Sequence, residues 1–452
     1  MEANTDGAGV SRRDLLKGAA AASIAALAAD IGSRAFADGT DTIKVGLVGC
    51  GGRGSGAFHQ NVVDSAQPGM LAWAVGDVFI DKARGMANGC KGWGAKAKIE
   101  DRVFGGFDAY KKVIDSGIDL LVTATPPGWR PTIVSYAIEK GKNVFMEKPV
   151  GVDSAGIRTM LAAAEMAKQK GLTVVCGAQR RHQQNYLSTM AQILDGAIGE
   201  PVSGQFGWRG GGIWEHNGRR KKDDKGNPRF NLSWELDNWY HFTWLCGDQI
   251  CEQHVHNIDV MNWCFADQHP TEAYGISYRI EGHGNAGRPV YSECCSGMAI
   301  EYSFPNGAKC MSWSGHGGAI DGYGGERIVG TKGVADCGGG ISMYDKSKVN
   351  IPKVHVDNGD PYVQEHIDLI NSIRKGAGLN EAKRIAESTF TAILGREAAY
   401  SGKRVRWDTL LKADFNLMPP AELLDLDKDP DIPQRPLPIQ GLYRPGTGFV
   451  AG

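Results

Sequence analysis

The run Ile43-Lys44-Val45-Gly46-Leu47-Val48 leads directly into Gly49-Cys50-Gly51-Gly52-Arg53-Gly54. A short apolar run of this kind fits a strand buried on both faces, and the glycines at 49, 51 and 54 reproduce the G-x-G-x-x-G spacing of a dinucleotide turn. Gly49 permits the tight turn, Gly51 lets the backbone approach a pyrophosphate, and Gly54 lets the next helix pack closely. The phosphates would then meet the N–H groups at a helix N-terminus. In a chain with 62 glycines the spacing alone is a weak signal. The next segment strengthens it: Leu71 to Gly76 reads as a second strand ending at Asp77, about 20 residues on, where the motif requires an acid. A carboxylate there accepts hydrogen bonds from the adenosine ribose and repels a 2′-phosphate, so NAD is expected rather than NADP.

The α/β pattern continues. Helices are expected over 107–116, 131–140 and 154–170, and strands over 118–125, 143–146 and 172–176. Strands alternating with helices imply a doubly wound parallel sheet, on which ligands bind beyond the carboxyl ends of the strands. Gly49, Asp77, Thr125 and Lys148 all fall at such ends.

With Ala124-Thr125-Pro126, Glu147-Lys148-Pro149 and a later histidine segment added to the glycine fingerprint, the chain resembles the glucose–fructose oxidoreductase / inositol dehydrogenase / rhizopine catabolism (Gfo/Idh/MocA) family from about residue 43 to 400. The resemblance implies that Gly49, Gly51, Gly52, Arg53, Gly54, Asp77, Thr125, Pro126, Glu147 and Lys148 hold the cofactor. It also implies that Lys148 lies beside the nicotinamide and assists proton transfer. In the segment Gly247 to Trp263, the family usually shows D-x-x-x-H followed by x-x-D. Here His256 and Asp259 match, and Glu252 stands in place of the first Asp. On a helix Glu252, His256 and Asp259 share a face; on a strand Glu252, His254 and His256 would share one and resemble a metal site. The apolar positions Val255, Ile258 and Met261 favour the helix, so no metal is expected. Histidine suits a base because it titrates near neutrality. Lys148, His256 and Glu252 are therefore the expected catalytic residues. Trp129, Arg130, Arg181, Tyr240 and Asp259 are the expected substrate contacts.

Ser11-Arg12-Arg13-Asp14-Leu15-Leu16-Lys17, an alanine-rich stretch and Ala35-Phe36-Ala37 read as a twin-arginine export signal cleaved after Ala37. The expected location is periplasmic or otherwise exported, with the translocase as a passing partner. Four regions are expected: a signal peptide at 1–37, an NAD-binding domain at 38–178, an α+β substrate and oligomerisation domain at 179–402, and a Pro-rich extended arm at 403–452. In the second domain, residues 202–208, 273–280, 298–304 and 309–314 alternate as strands of an open, mainly antiparallel sheet would. Asn306-Gly307 supplies a hairpin turn. The charged run at 215–229 reads as a solvated loop. A net charge of −1 argues against nucleic acid or a membrane surface as partner, and the ten cysteines form no C-x-x-C. A homodimer or homotetramer is the expected assembly.

The expected function is NAD-dependent oxidation or reduction of a sugar, sugar derivative or cyclitol. An exported enzyme meets little free NAD, so the cofactor should stay bound. The alternatives are a glycosidase working by oxidation, elimination and re-reduction, and a non-enzymatic sugar-binding or sensor protein.

Overall fold

The computed structural model describes residues 41–280, 291–317 and 321–450; the expected export signal lies outside them. Six parallel strands, β1 (Ile43–Val48), β2 (Met70–Asp77), β3 (Val103–Gly105), β4 (Leu120–Thr123), β5 (Asn143–Met146) and β6 (Val174–Cys176), form a sheet in the order β3-β2-β1-β4-β5-β6. The reversal of order between β1 and β4 opens a crevice at their carboxyl ends, the position at which such sheets bind ligands. Helices α1 (Gly52–His59), α2 (Ile80–Cys90), α3 (Ala109–Asp115), α4 (Arg130–Glu139) and α5 (Ser154–Gln169) make the connections. The strands read as nearly continuous apolar runs because both faces are covered: Val45, Leu47, Val122 and Phe145 on one side and Val48, Leu121, Val144 and Met146 on the other are fully buried or nearly so.

The second sheet has eight strands: β7 (Pro201–Gly210), β8 (Glu272–Tyr278), β9 (Gly297–Ser303), β10 (Lys309–His316), β11 (Tyr323–Gly330), β12 (Gly333–Asp336), β13 (Gly340–Met343) and β14 (Val405–Arg406), ordered β13-β12-β11-β7-β10-β9-β8-β14. Every pairing is antiparallel except β7 with β10. Gly307, in the turn between β9 and β10, takes φ +86°, as the Asn-Gly signal requires. The inner face of this sheet packs on the helix that carries the histidine segment. Its outer face leaves Tyr274, Ile276, Tyr278 and Met311 between 41% and 54% exposed.

The domain boundary expected at residue 179 does not hold for the whole second region. Helix α6 (Pro361–Lys375) returns to the first sheet, where Leu369, Ile370 and Ile373 join the core of Val45 and Leu47. Helix α7 (Ala382–Ser401) serves both domains: Ile385 and Ala386 pack with the first, Phe390 and Leu394 with the second. The arm after residue 403 wraps its own chain. Phe415 accepts a backbone hydrogen bond from Ala155, Leu417 donates to Asp153, and Tyr443 donates to the buried Glu397.

Candidate functional site

The glycine turn is built to take a dinucleotide. Gly49 has φ +94°, and a Cβ there would lie 2.8 Å from the Thr125 backbone. A Cβ on Gly54 would lie 1.8 Å from the Gly49 carbonyl oxygen, so only glycine lets α1 start this close to β1. Gly51 and Gly52 face open space instead, and no side chain caps α1. The first-turn N–H groups of a helix have no partner of their own, and here nothing blocks an anion from reaching them.

Asp77 closes β2 as expected. Its carboxylate accepts from the backbone N–H of Cys50 at 2.7 Å and of Phe79 at 2.9 Å, which locks the β1 and β2 ends together. Burial pushes this carboxyl upward, against the lowering by those two N–H groups and by Lys82. A cleft continues from Gly49, Gly51 and Asp77 past Thr125, Pro126 and Trp129. Trp129 packs on Phe107 with ring centres 5.2 Å apart. Leu236 and Trp239 line the same cleft from the other domain.

Glu147 and Arg53 meet across the crevice, Nε to Oε1 at 2.5 Å, and Arg53 also reaches Glu365 at 3.1 Å and Gln60 at 2.7 Å. The two residues thus brace the β1 and β5 ends against α6. Lys148 extends further. Its Nζ lies 3.0 Å from Glu252 Oε1 and also donates to the Glu252 backbone carbonyl. Both side chains are about nine-tenths buried. Glu252 Oε2 is buried with no hydrogen-bond partner. Burial raises the Glu252 carboxyl more than the charges of Lys148 and Arg130 lower it.

The histidine segment is helical, with one departure. A π-turn over Ile250–His254 precedes the regular helix of Val255–Cys264. The wider turn offsets Glu252 from the regular register of His256 and Asp259. His256 is half-buried, and burial together with the charges of Lys148, Arg180 and Arg53 pushes its pKa well below the usual histidine value. Its imidazole is therefore neutral at neutral pH. His254 is fully buried and shares a 2.7 Å hydrogen bond with Ser312. Among the described residues no group of three His, Cys, Asp or Glu side chains has a metal-holding arrangement.

Asp259 turns to Arg181 instead. The guanidinium meets both carboxylate oxygens, at 2.7 and 3.0 Å, adds Asp267 at 2.6 Å and stacks over Trp263 at 4.2 Å. Burial alone would raise Asp259, but the Arg181 charge outweighs it and holds the carboxyl below its ordinary value. Arg181 and Asp259 are thus a saturated brace, not the free substrate contacts expected of them. The neighbouring Arg180 is the one that faces His256. It pairs with Glu326 at 2.6 Å. Adjacent residues in the short turn Gln179–His182 point apart, and only the cleft side of that turn reaches the site. Arg130 is also buried, donating to the Pro149 carbonyl from beneath the Glu-Lys-Pro turn, so it supports Lys148 and does not face substrate. Tyr240 is 4% exposed, lies close enough to Glu252 for the two to interact, and shares a 2.7 Å hydrogen bond with His316. Arg180, Glu326 and Glu365 were not among the expected site residues. Only Arg180 carried a signal, its place after β6.

The charged run at 215–229 is only partly the solvated loop expected. Residues 221–228 are exposed. Its ends are nonetheless pinned: Arg219 pairs with Asp81 at 2.6 Å, Lys221 with Asp429 at 2.9 Å and Arg229 with Asp431 at 2.9 Å. Asp237, just beyond it, holds Lys82 at 2.7 Å. Ion pairs from this run and from Asp237 thus reach the helix that follows Asp77, and two more tie the run to the C-terminal arm.

Residues 43–177 match the sequence model of the Gfo/Idh/MocA family, described as an oxidoreductase family with an NAD-binding Rossmann fold. Inositol 2-dehydrogenase 1 of Saccharopolyspora erythraea is 31% identical over 161 residues, 36% of this chain and 44% of that protein. The scyllo-inositol 2-dehydrogenase (NAD(+)) of Bacillus subtilis is 28% identical over 149 residues, 32% of this chain and 39% of that protein. The chain thus spans less than half the length of these two curated relatives. Over longer stretches the likeness is one of fold. Scyllo-inositol dehydrogenase from Lactobacillus casei, with bound NAD(H) and scyllo-inositol, superposes with a TM-score of 0.59 at 18% identity, covering 81% of this chain and 100% of that one. GenD2 from gentamicin A biosynthesis, in complex with NAD, gives 0.58 at 16% identity, covering 83% and 99%. Residues 43–177 are therefore an NAD-binding Rossmann domain of the Gfo/Idh/MocA type.

Proposed function

We propose that this chain oxidises a secondary alcohol of a cyclitol or sugar to the ketone, or reduces such a ketone to the alcohol, using an NAD that it keeps through the catalytic cycle. The observation that carries the reading is the convergence of Lys148, Glu252 and neutral His256 at the carboxyl end of the NAD-binding sheet. NAD, when bound, supplies the hydride acceptor. His256 takes the hydroxyl proton, for which a neutral imidazole is the competent form. Lys148 has three N–H bonds, two of them engaged with Glu252; the third is available to the reacting oxygen. Glu252 Oε2, buried without a partner, accepts from a neighbouring substrate hydroxyl. The names of the matched relatives support a cyclitol as substrate.

Retention is supported by Leu236 and Trp239 of the second domain, which line the cleft, and by the ion pairs that tie the neighbouring segment to Lys82 and Asp81. It also suits export by the twin-arginine route with cleavage after Ala37, since that route carries folded proteins with their cofactors. Association of two copies through the exposed Tyr274, Ile276, Tyr278 and Met311 belongs to the same reading. The test is to purify the exported protein, release its dinucleotide by denaturation, and follow NADH on a panel of inositols and sugars. Stoichiometric NAD(H) with reduction on one inositol is the expected result. Turnover of a glycoside with no net NADH would favour the elimination route, and a protein with ligand binding but no redox change would be a sensor.

A further inference from the structure

We infer that Asp237, a residue outside the Rossmann domain, determines cofactor choice by holding Lys82 and Arg219 away from the adenosine 2′ position. Asp77 marks where the ribose hydroxyls must lie, because an acid at the end of the second strand accepts from them. Lys82 lines the same cleft. Its ammonium and the Arg219 guanidinium both lie over the Phe79 ring, at 5.0 and 3.7 Å, two residues past Asp77. Two cations at this place are what a 2′-phosphate would need. Neither is free. Asp237 takes Lys82 at 2.7 Å and stands 4.0 Å from Arg219, whose other partner is Asp81 at 2.6 Å. Asp237 is itself 9% exposed and sits at the end of a short helix of the insertion, Leu232–Asp237, so the second domain supplies the counter-charge to Lys82.

A Rossmann domain with Asp77 alone would reject NADP by repulsion. Here rejection has a second part: the nearby cations are already neutralised, so they cannot offset that repulsion. Removing the Asp237 charge should therefore release Lys82 to a 2′-phosphate without touching Asp77.

The test is equilibrium dialysis of the full chain against an equimolar mixture of NAD and NADP, with both dinucleotides then quantified in the protein compartment by mass spectrometry. Asp237→Asn should raise the ratio of bound NADP to NAD about tenfold, the scale of one charge-assisted hydrogen bond. Lys82→Gln in that background should return the ratio to the parent value. Asp81→Asn, at an exposed position, frees Arg219 and should raise the ratio by a smaller factor. If Asp237→Asn does not fold, Asp81→Asn decides the matter. An unchanged ratio in Asp237→Asn, or in Asp81→Asn where that variant decides, would overturn the assignment. So would a gain in Asp237→Asn that persists without Lys82. Dialysis reads binding alone, so the ratio stays readable whether or not the chain oxidises a cyclitol.

Discussion

Lys148 Nζ and Glu252 Oε1 lie 3.0 Å apart, joining the end of the NAD-binding sheet to the π-turn that opens the histidine helix. The contact fixes both groups beside His256. It also separates their roles. Lys148→Ala and His256→Ala remove the proton-handling groups, and each should lower kcat by roughly 10²–10⁴-fold while bound dinucleotide is retained. Glu252→Gln keeps an acceptor for the Lys148 ammonium and should cost less, with the loss concentrated in KM. Steady-state kinetics with dinucleotide content measured on each protein checks this. Full activity in Lys148→Ala would remove the proposed chemistry.

The acid limb of kcat/KM follows from His256. Its pKa is depressed by burial first and by Lys148, Arg180 and Arg53 next, so it stays neutral well below the pH at which a free histidine charges. The limb should therefore fall below pH 6.5, the ordinary histidine value. Lys148→Met should move it upward by removing one of those charges. A pH–rate profile on the parent and this variant is the measurement. An acid limb centred on 6.5 would assign the base to another group.

Five of the six parallel strands were legible because they are buried on both faces and read as apolar runs ended by Gly, Pro or a charged residue, whereas β3, three residues long and only half-buried, was not anticipated. Strands β11, β12 and β13 were not anticipated: with Gly324, Gly325, Gly333 and Gly340 among them, their propensity is low, and pairing across the sheet supplies what local preference does not. The site was legible as far as motif positions reach. Lys148 and Glu252 lie 104 residues apart and still meet as expected of residues in one site. The exchange of Arg181 for Arg180 was not legible, because a short turn decides which side chain faces the cleft. Nor was the engagement of Asp259 by Arg181, a partner 78 residues away in sequence that the local helical pattern does not reveal.

Acid should destabilise the fold through its buried histidines. His254 is held neutral, its pKa pushed down to about 3 by burial. Unfolded, it titrates near 6.5. Between those values the unfolded state binds more protons, so stability is intact above the unfolded value and is lost as pH falls toward the folded one. The slope is about 1.4 kcal/mol per pH unit for one such group. Denaturant unfolding of parent and His254→Gln at pH 7 and pH 5 should show the parent losing more. His182 acts with the opposite sign. Burial lowers its pKa, but Glu381 and Asp368 outweigh that and raise it to about 10. Its contribution is present below the unfolded value and is lost as pH rises from about 6.5 toward 10. Equal pH slopes in parent and His254→Gln would show that the group does not titrate as its burial requires.

The hold on NAD should weaken with salt. The insertion is tied to the C-terminal arm by Lys221–Asp429 and Arg229–Asp431, and to the Rossmann domain by Arg219–Asp81 and Lys82–Asp237. Three of these four cations, in Lys82, Arg219 and Arg229, lie on side chains about a third exposed, and Lys221 is nearly half exposed, so solvent ions reach them. Each such pair contributes at most about 1 kcal/mol, and raising ionic strength screens all four together. On the proposed reading this segment moves before the dinucleotide leaves, so weakening its ion pairs appears in the dissociation rate. Dilution of NAD-loaded protein into excess unlabelled NAD should show release accelerating severalfold between low salt and about 1 M, where screening is close to complete beyond roughly 3 Å. Lys221→Gln with Arg229→Gln should accelerate release at low salt and flatten the salt dependence, since the arm then has fewer charges to lose. Release that is fast in the parent and indifferent to both changes would mean that the insertion and arm do not hold the cofactor.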